Sequence, residues 1–485
     1  MTAHYKNLVS GNIKASGKLN VTAPFDGQLI ATVDQLDKSA INQALNTASN
    51  LYNDRSTWLS AAQRIEILTK LSHLMEENAE RLILLSAREG GKPLNDTKVE
   101  MDRAIDGIKN CVECIRNNHG EEIPMGLNAA SMNRLAVTSH EPIGVVVAVS
   151  AFNHPINLIV HQVGPAVASG CPVIIKPADD TPLSCYELVK LLHQAGLPKE
   201  WAQVVSPADH TVAEALVTDS RVGFFSFIGS AKVGWMLRSK LAAGARCALE
   251  HGGVAPVIVA ADADLESALP MLAKGGFYHA GQVCVSVQRI FVEKNIARKV
   301  AEKIAEFGSK MSVGDPTLTT TDIGPIIRHS ETNRIDEWVE EAITAGAENI
   351  SAKISGHNSG KISDSCYSPT VLFNPPADTS VSCKEIFGPV VCVYEYEDIN
   401  DAIARANALD VSFQAAIYTT NLNTAMHAYK QLNASAVMVN DFTAFRVDWM
   451  PFAGLRQSGM GVGGIPHTFK DMQIEKMLMI KSDKL

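Results

Sequence analysis

From residue 143 the chain alternates short β-branched runs with helical stretches, and that alternation admits few folds. Ile143 to Val149 reads as strand, Pro155 to Ser169 as helix closed by Gly170, Pro172 to Lys176 as strand, and Pro182 to Ala195 as helix closed by Gly196. Strands near Ala202 to Val205 and Val222 to Phe227, a helix from Ala231 to Ala243 and a strand ending at Glu250 continue it. Parallel strands need helical crossovers, so the pattern predicts a doubly wound α/β domain with its ligand crevice past the carboxyl ends of the strands. Gly252-Gly253 breaks the run, and a second alternation begins: strand at Val257 to Ala260, helix from Leu265 to His279, a loop holding Cys284, and strand at Arg289 to Glu293.

Composition narrows the class. With 485 residues, 46% of them hydrophobic and 20% charged, the chain is long enough for two or three domains with substantial cores. The net charge of −9 is spread without basic blocks, which predicts no nucleic-acid partner. Met1 to Asn7 has no apolar stretch, and no run approaches the roughly 18 apolar residues of a membrane span, so a cytoplasmic protein with no membrane contact is expected. Nine cysteines at irregular spacings predict reduced thiols. Cys111-Val112-Glu113-Cys114 is a lone CxxC inside a segment, Arg103 to Arg116, that reads as helix, and no metal site is expected there.

Two landmarks carry chemistry. Cys284 follows Gly281-Gln282-Val283, and Glu250 stands in Leu249-Glu250-His251-Gly252-Gly253. A thiolate adds to an aldehyde carbonyl, hydride leaves the adduct for a nicotinamide, and a carboxylate deprotonates the water that hydrolyses the thioester. Asn153, in Ala151-Phe152-Asn153-His154-Pro155 just past a strand, offers an amide to the oxygen that becomes negative. Lys176 ends the next strand and Asp179 follows in the predicted nucleotide crevice, with a plainer reading in which Asp179 or Asp180 caps the following helix. Gly229, Ser230 and Gly234 place small residues at a helix N-terminus, where an anion is favoured.

Together with Glu385-Ile386-Phe387-Gly388-Pro389-Val390 and Pro451-Phe452-Ala453-Gly454, these landmarks make the chain resemble the aldehyde dehydrogenase superfamily from about residue 20 onward. The resemblance implies a Rossmann-like NAD-binding domain at 1–120 and 141–252, an α/β catalytic domain at 253–450, and a small β oligomerisation element from 121–140 and 466–485. It implies Cys284 as nucleophile, Glu250 as base, and an oxyanion hole shared by Asn153 and the Cys284 backbone N–H. The cofactor, NAD with NADP possible, would lie against Phe152, Lys176, Asp179, Gly229, Ser230, Gly234, Glu385 and Phe387. A homodimer or homotetramer is expected, with the loosely alternating Phe469 to Ile480 pairing as an edge strand with another subunit.

His154, Val254 and Ala453 depart from the commonest family forms, though none removes a catalytic atom. The places that build the substrate pocket supply Arg103, His154, His161, Val283 and Arg446, a set suited to a small anionic or hydroxylated aldehyde. The competing expectation is that Arg446 and Asp448 form a structural ion pair and that His161 is packed. Two other functions stay open: a coenzyme A-acylating enzyme, disfavoured by Glu250, and a non-catalytic cofactor-binding protein, disfavoured by the complete set of Cys284, Glu250 and Asn153.

Overall fold

The computed structural model describes residues 2–354 and 359–485. Its first large sheet has six strands in the order Gly459–Met460, Arg246–Glu250, Val222–Ile228, Val145–Val149, Val173–Lys176, Ala202–Val204. All neighbours are parallel except Gly459–Met460. The chain enters at Val145–Val149, winds outward to Ala202–Val204, then returns to the other side, so the strand order reverses between Val145–Val149 and Val222–Ile228. Such a reversal splays the flanking loops and opens a crevice. The register aligns Val149 with Lys176 and Phe227, and Ile228 with Glu250, so the four landmarks leave the sheet at one edge.

Alternation explains why both faces of this sheet are covered. Val146, Ala148, Val173, Ile175 and Phe224 join one buried cluster, while Val145, Val147, Ile174, Val222 and Phe225 join the other. The Asn157–Ser169 helix is buried along all of its 13 residues. It stops at Gly170, whose φ of +87° suits a left-handed cap.

The second sheet has seven strands: Glu348–Asn349, Thr370–Phe373, Val390–Tyr396, Arg289–Glu293, Pro256–Val259, Gln414–Tyr418, Ala436–Val439. From its first strand, Pro256–Val259, the chain passes to Arg289–Glu293, crosses to the terminal Glu348–Asn349, returns inward through Thr370–Phe373 to Val390–Tyr396, and then builds the other side with Gln414–Tyr418 and Ala436–Val439; only Glu348–Asn349 runs antiparallel. The expected α/β architecture of two wound sheets is present.

Two helices end earlier than the sequence periodicity suggested. The Ala231–Arg238 helix stops before Ala243 because the chain must turn back, through Gly244 at φ +89°, to lay Arg246–Glu250 alongside Val222–Ile228. The Leu265–Phe277 helix stops before His279 because His279, Ala280 and Gly281 all take positive φ. At Gly281 a side chain could not fit, since a Cβ would stand 2.0 Å from the Gly388 carbonyl oxygen.

The C-terminal strand begins later than expected and is the edge strand of its sheet. Phe469 is buried in a helix, Ile465–Asp471, and the strand Gln473–Lys481 pairs within the same chain, antiparallel to Arg134–Pro142. Glu122–Ile123 completes this small sheet. Cross-strand pairing to Arg134–Pro142 uses one edge of Gln473–Lys481 and leaves the other free. Among the described residues, no helix is long and apolar enough to cross a membrane. Cys111 is buried and Cys114 half-buried, and burial raises both thiols, that of Cys114 to about 11.

Candidate active site

The crevice at the strand reversal opens into a cavity of about 690 Å³ between the two wound sheets. Cys284, Glu250 and Asn153 line it, together with Phe152, Lys176, Asp179, Gly229, Ser230, Glu385, Phe387, Arg103, His154 and Arg446. Gly234 and His161 sit behind its wall.

Cys284 is held by the left-handed turn before it and by Gln282. The Gln282 side chain donates to the Pro325 carbonyl at 3.2 Å and accepts the Ile327 N–H at 3.0 Å, which ties the loop to residues 325–327. Asn153 donates from Nδ2 to the Gln282 carbonyl at 2.9 Å. An amide nitrogen has two hydrogens, so one donor remains. The Cys284 thiol is pushed up to about 12, chiefly by burial; Arg446 opposes the rise, while Glu385 and Glu250 add to it. Burial likewise raises the Glu250 carboxyl, and Arg446 opposes it.

Glu250 ends its strand with the backbone fixed on both sides. Its carbonyl accepts the Gly229 N–H at 3.0 Å, and the next N–H, of His251, donates to Ser458 at 2.9 Å. Neither Gly252 nor Gly253 takes a positive φ. Gly252 matters as space: a Cβ there would meet the Glu385 carboxylate at 1.8 Å. Glu385 is raised to about 8 by burial, against the pull of the Gly253 N–H and Arg334. Its Oε1 is buried without a partner. Phe387 takes φ +51° and meets Phe152 edge to face at 5.9 Å.

At the far end, Lys176 pairs with Asp179 at 2.7 Å, and Asp180 is gripped by Arg328 through Nε at 3.0 Å and through Nη2. Neither aspartate caps the next helix. Glu89, fully buried, does so by accepting the N–H groups of Leu183 and Ser184, both at 2.8 Å.

The polar groups around Arg446 are sorted by Asp448. Arg103 donates to it twice, at 3.1 and 2.6 Å, and His161 Nε2 donates at 2.7 Å. Although burial favours the neutral acid, the hydrogen bond from His161 and the charge of Arg103 hold Asp448 well below the usual carboxylate range. The expected ion pair between Arg446 and Asp448 is present but long: Nε is 3.9 Å from Asp448 and makes no hydrogen bond, and the guanidinium lies 3.5 Å over the Phe452 ring. The one hydrogen bond of Arg446 among the described residues is from Nη2 to His161 Nδ1 at 3.4 Å. His161 is held down to about 4 by burial and Arg446, and His154 is held low by burial and the Lys92 charge, so both are neutral. His154 Nε2 lies 3.3 Å from the Tyr278 hydroxyl.

Sequence reading missed the supports. Glu100 accepts the N–H groups of Ile156 and Asn157 at 2.9 and 3.0 Å, and so holds the helix that follows Asn153. Lys92 pairs with it at 2.6 Å, both side chains being at most 1% exposed. Tyr278, Asp96, Arg334 and Phe452 also line the cavity. Phe452 stands in the Pro451-Phe452-Ala453-Gly454 landmark, but no local motif marks Glu100, whose backbone partners Ile156 and Asn157 are 56 and 57 residues away.

The model of the aldehyde dehydrogenase family matches residues 13–478. The chain is 36% identical over 464 residues to the 3-sulfolactaldehyde dehydrogenase of Priestia aryabhattai, covering 96% of this chain and 95% of that one. Aldehyde dehydrogenase 21 of Physcomitrella patens, solved with the reaction product succinate, superposes with a TM-score of 0.93 at 31% identity and 99% coverage of both chains. Glyceraldehyde-3-phosphate dehydrogenase GapN of Methanocaldococcus jannaschii, solved with NADP, gives 0.90 at 31% identity over 97% of this chain and 100% of that one. Match length, identity and fold agree with the site built above, and this chain belongs to the aldehyde dehydrogenase family.

Proposed function

We propose that this protein oxidises a small anionic aldehyde to its carboxylate with NAD as the preferred cofactor. The observation that carries the reading is the shared cavity: Cys284, Glu250 and Asn153 border the same space as the nucleotide crevice and Arg446.

The residues present suit a dinucleotide. Glu385 Oε1 is buried and unpartnered, an acceptor that ribose hydroxyls satisfy, and Gly252 leaves room for its carboxylate. Lys176 and Asp179 would hold the adenosine ribose, Gly229 and Ser230 the pyrophosphate, and Phe387 with Phe152 the nicotinamide end. Bound there, the cofactor supplies the acceptor for the hydride released from the substrate carbon. Asp179 accepts from ribose hydroxyls and repels a 2′-phosphate, which favours NAD.

Cys284 gives up its thiol proton to solvent, aided by the Arg446 charge, and adds as thiolate to the aldehyde carbon; the oxygen that gains charge accepts hydrogen bonds from the free Asn153 N–H and the Cys284 N–H. Oxidation leaves a thioester on Cys284. Glu250, whose carboxylate is made more basic by burial, takes a proton from the water that cleaves it and returns a proton to the departing sulfur, releasing the acid and the thiol. Arg446 faces the remote anion. The names of the relatives support that class, since a sulfonate, a carboxylate and a phosphate are all anionic. The sheet formed by Arg134–Pro142 and Gln473–Lys481 is proposed as the element joining subunits into a homo-oligomer in the cytoplasm.

A panel of anionic and neutral aldehydes, compared by kcat/KM with NAD and NADP, tests the reading. The expected result is free carboxylate without coenzyme A and a preference for anionic substrates. Product formed only as a coenzyme A thioester would overturn the hydrolytic mechanism.

A further inference from the structure

His251 lies between the base and the glycines of Leu249-Glu250-His251-Gly252-Gly253, and its surroundings give it work that a packing residue does not have. Gly229 opens the turn that leads to Ser230 and the Ala231–Arg238 helix. Both of its backbone groups are held by residues 250 and 251. The Gly229 N–H donates to the Glu250 carbonyl at 3.0 Å, and the Gly229 carbonyl is 2.9 Å from His251 Nδ1, which fixes the hydrogen on that nitrogen. The imidazole is 3% exposed and packs edge-on against Phe227 at 5.6 Å and Trp235 at 5.8 Å. Its other nitrogen, Nε2, is buried with no partner. It fills the space under the turn: a Cβ on Gly234 would lie 2.1 Å from Cε1 and 2.7 Å from Nε2.

We infer that His251 is a positioning residue, a strap through which a pyrophosphate on the Gly229–Gly234 turn sets the placement of Glu250. The inference rests on the roles of Cys284 and Glu250 proposed above. Anion binding at the turn draws on the N–H groups from Ser230 onward, immediately after Gly229. That load passes to Glu250 by the Gly229 N–H and to His251 by the Gly229 carbonyl. Glu250 in turn presses against Gly463, where a Cβ would stand 2.1 Å from its Oε1, so a small displacement of its backbone reorients the carboxylate. A turn filled by pyrophosphate holds the base for the water-activating position and raises deacylation.

The strap can be read without hydride transfer. p-Nitrophenyl acetate acylates the Cys284 sulfur and releases p-nitrophenolate; water then cleaves the thioester to acetate and free thiol, using Glu250. ADP-ribose carries the pyrophosphate and no nicotinamide. In the wild-type protein, saturating ADP-ribose is expected to raise steady ester turnover at least threefold. In His251→Leu the ratio with and without ADP-ribose is expected to fall to about one while calorimetry still detects binding, and His251→Asn, whose amide can reach the Gly229 carbonyl, is expected to restore part of it. His251→Phe, which keeps an aromatic ring beside Phe227 and Trp235 and lacks the donor, replaces the Leu variant should that variant not fold. No rise in the wild type, an undiminished rise in the Leu or Phe variant, or loss of ADP-ribose binding itself would overturn the strap. Ester turnover that survives Cys284→Ala would instead overturn the proposed mechanism, so the two failures are distinct.

Discussion

A guanidinium stacked over Phe452 with its Nε unpartnered leaves donors free for an anion, whereas Arg103 is engaged twice by Asp448. Arg446→Leu is therefore expected to lower kcat/KM for anionic aldehydes at least tenfold more than for a neutral aldehyde of similar length, because a buried charge-assisted contact contributes about 1.5–3 kcal/mol. An equal loss across the panel would remove the anion reading. At the reacting centre, Cys284→Ala is expected to abolish oxidation and leave cofactor binding intact. Glu250→Gln is expected to give one burst of reduced cofactor and then slow turnover, with thioester detectable by mass spectrometry. Because burial raises the Glu250 carboxyl, the acid limb of deacylation belongs above the ordinary carboxylate pKa; as pH rises through it, turnover increases. In the crevice, Asp179→Ala releases Lys176 for a 2′-phosphate and is expected to shift the NAD-to-NADP ratio of kcat/KM at least tenfold toward NADP. The landmarks for Cys284, Glu250, Asn153 and Glu385 were legible because each stands in a short contiguous motif. The partition between Arg103 and Arg446 was not, since Asp448, which decides it, is 345 residues from Arg103.

At the scale of elements, the wound strands were legible because two-sided burial demands continuous apolar runs, while helix ends followed tertiary demands. The Leu265–Phe277 helix looked longer because His279 and Ala280 are ordinary helix residues in sequence; their left-handed backbone is imposed by the return of the chain toward Cys284. The Asn157–Ser169 helix raises a different issue, since its first N–H groups are satisfied by the buried Glu100 of the Leu94–Arg116 helix. Glu100→Gln keeps an acceptor for those groups and leaves Lys92 as an unpaired buried cation, an expected cost of about 3–5 kcal/mol in urea unfolding. Lys92→Met combined with Glu100→Gln removes both charges and is expected to be more stable than Glu100→Gln alone. A double variant as unstable as the sum of its parts would show that the pair's charge is not the issue.

Across the whole molecule, the two segments that the family resemblance groups into a small β element, 121–140 and 466–485, meet for much of their length in one small sheet. Its partner strand was not legible, because register between strands so far apart leaves no trace in either segment alone. Met477, Leu478, Met479 and Ile480 are each more than 40% exposed on the outer strand. Such a surface predicts assembly, so sedimentation at micromolar concentration is expected to give a dimer or tetramer, and Leu478→Lys with Ile480→Lys a smaller species. A wild-type monomer would end that reading.

The same pairing has a consequence for biosynthesis. Ser139 and Lys476, hydrogen-bonded neighbours in the sheet, are 337 residues apart. At a translation rate of about 5–20 residues per second, the Arg134–Pro142 strand waits roughly 20–70 s for the strand that covers it. During that interval one of its edges is open beside the emerging chain. A nascent polypeptide of this kind offers a chaperone a defined, long-lived strand edge, and slowing synthesis lengthens its exposure without changing the finished fold.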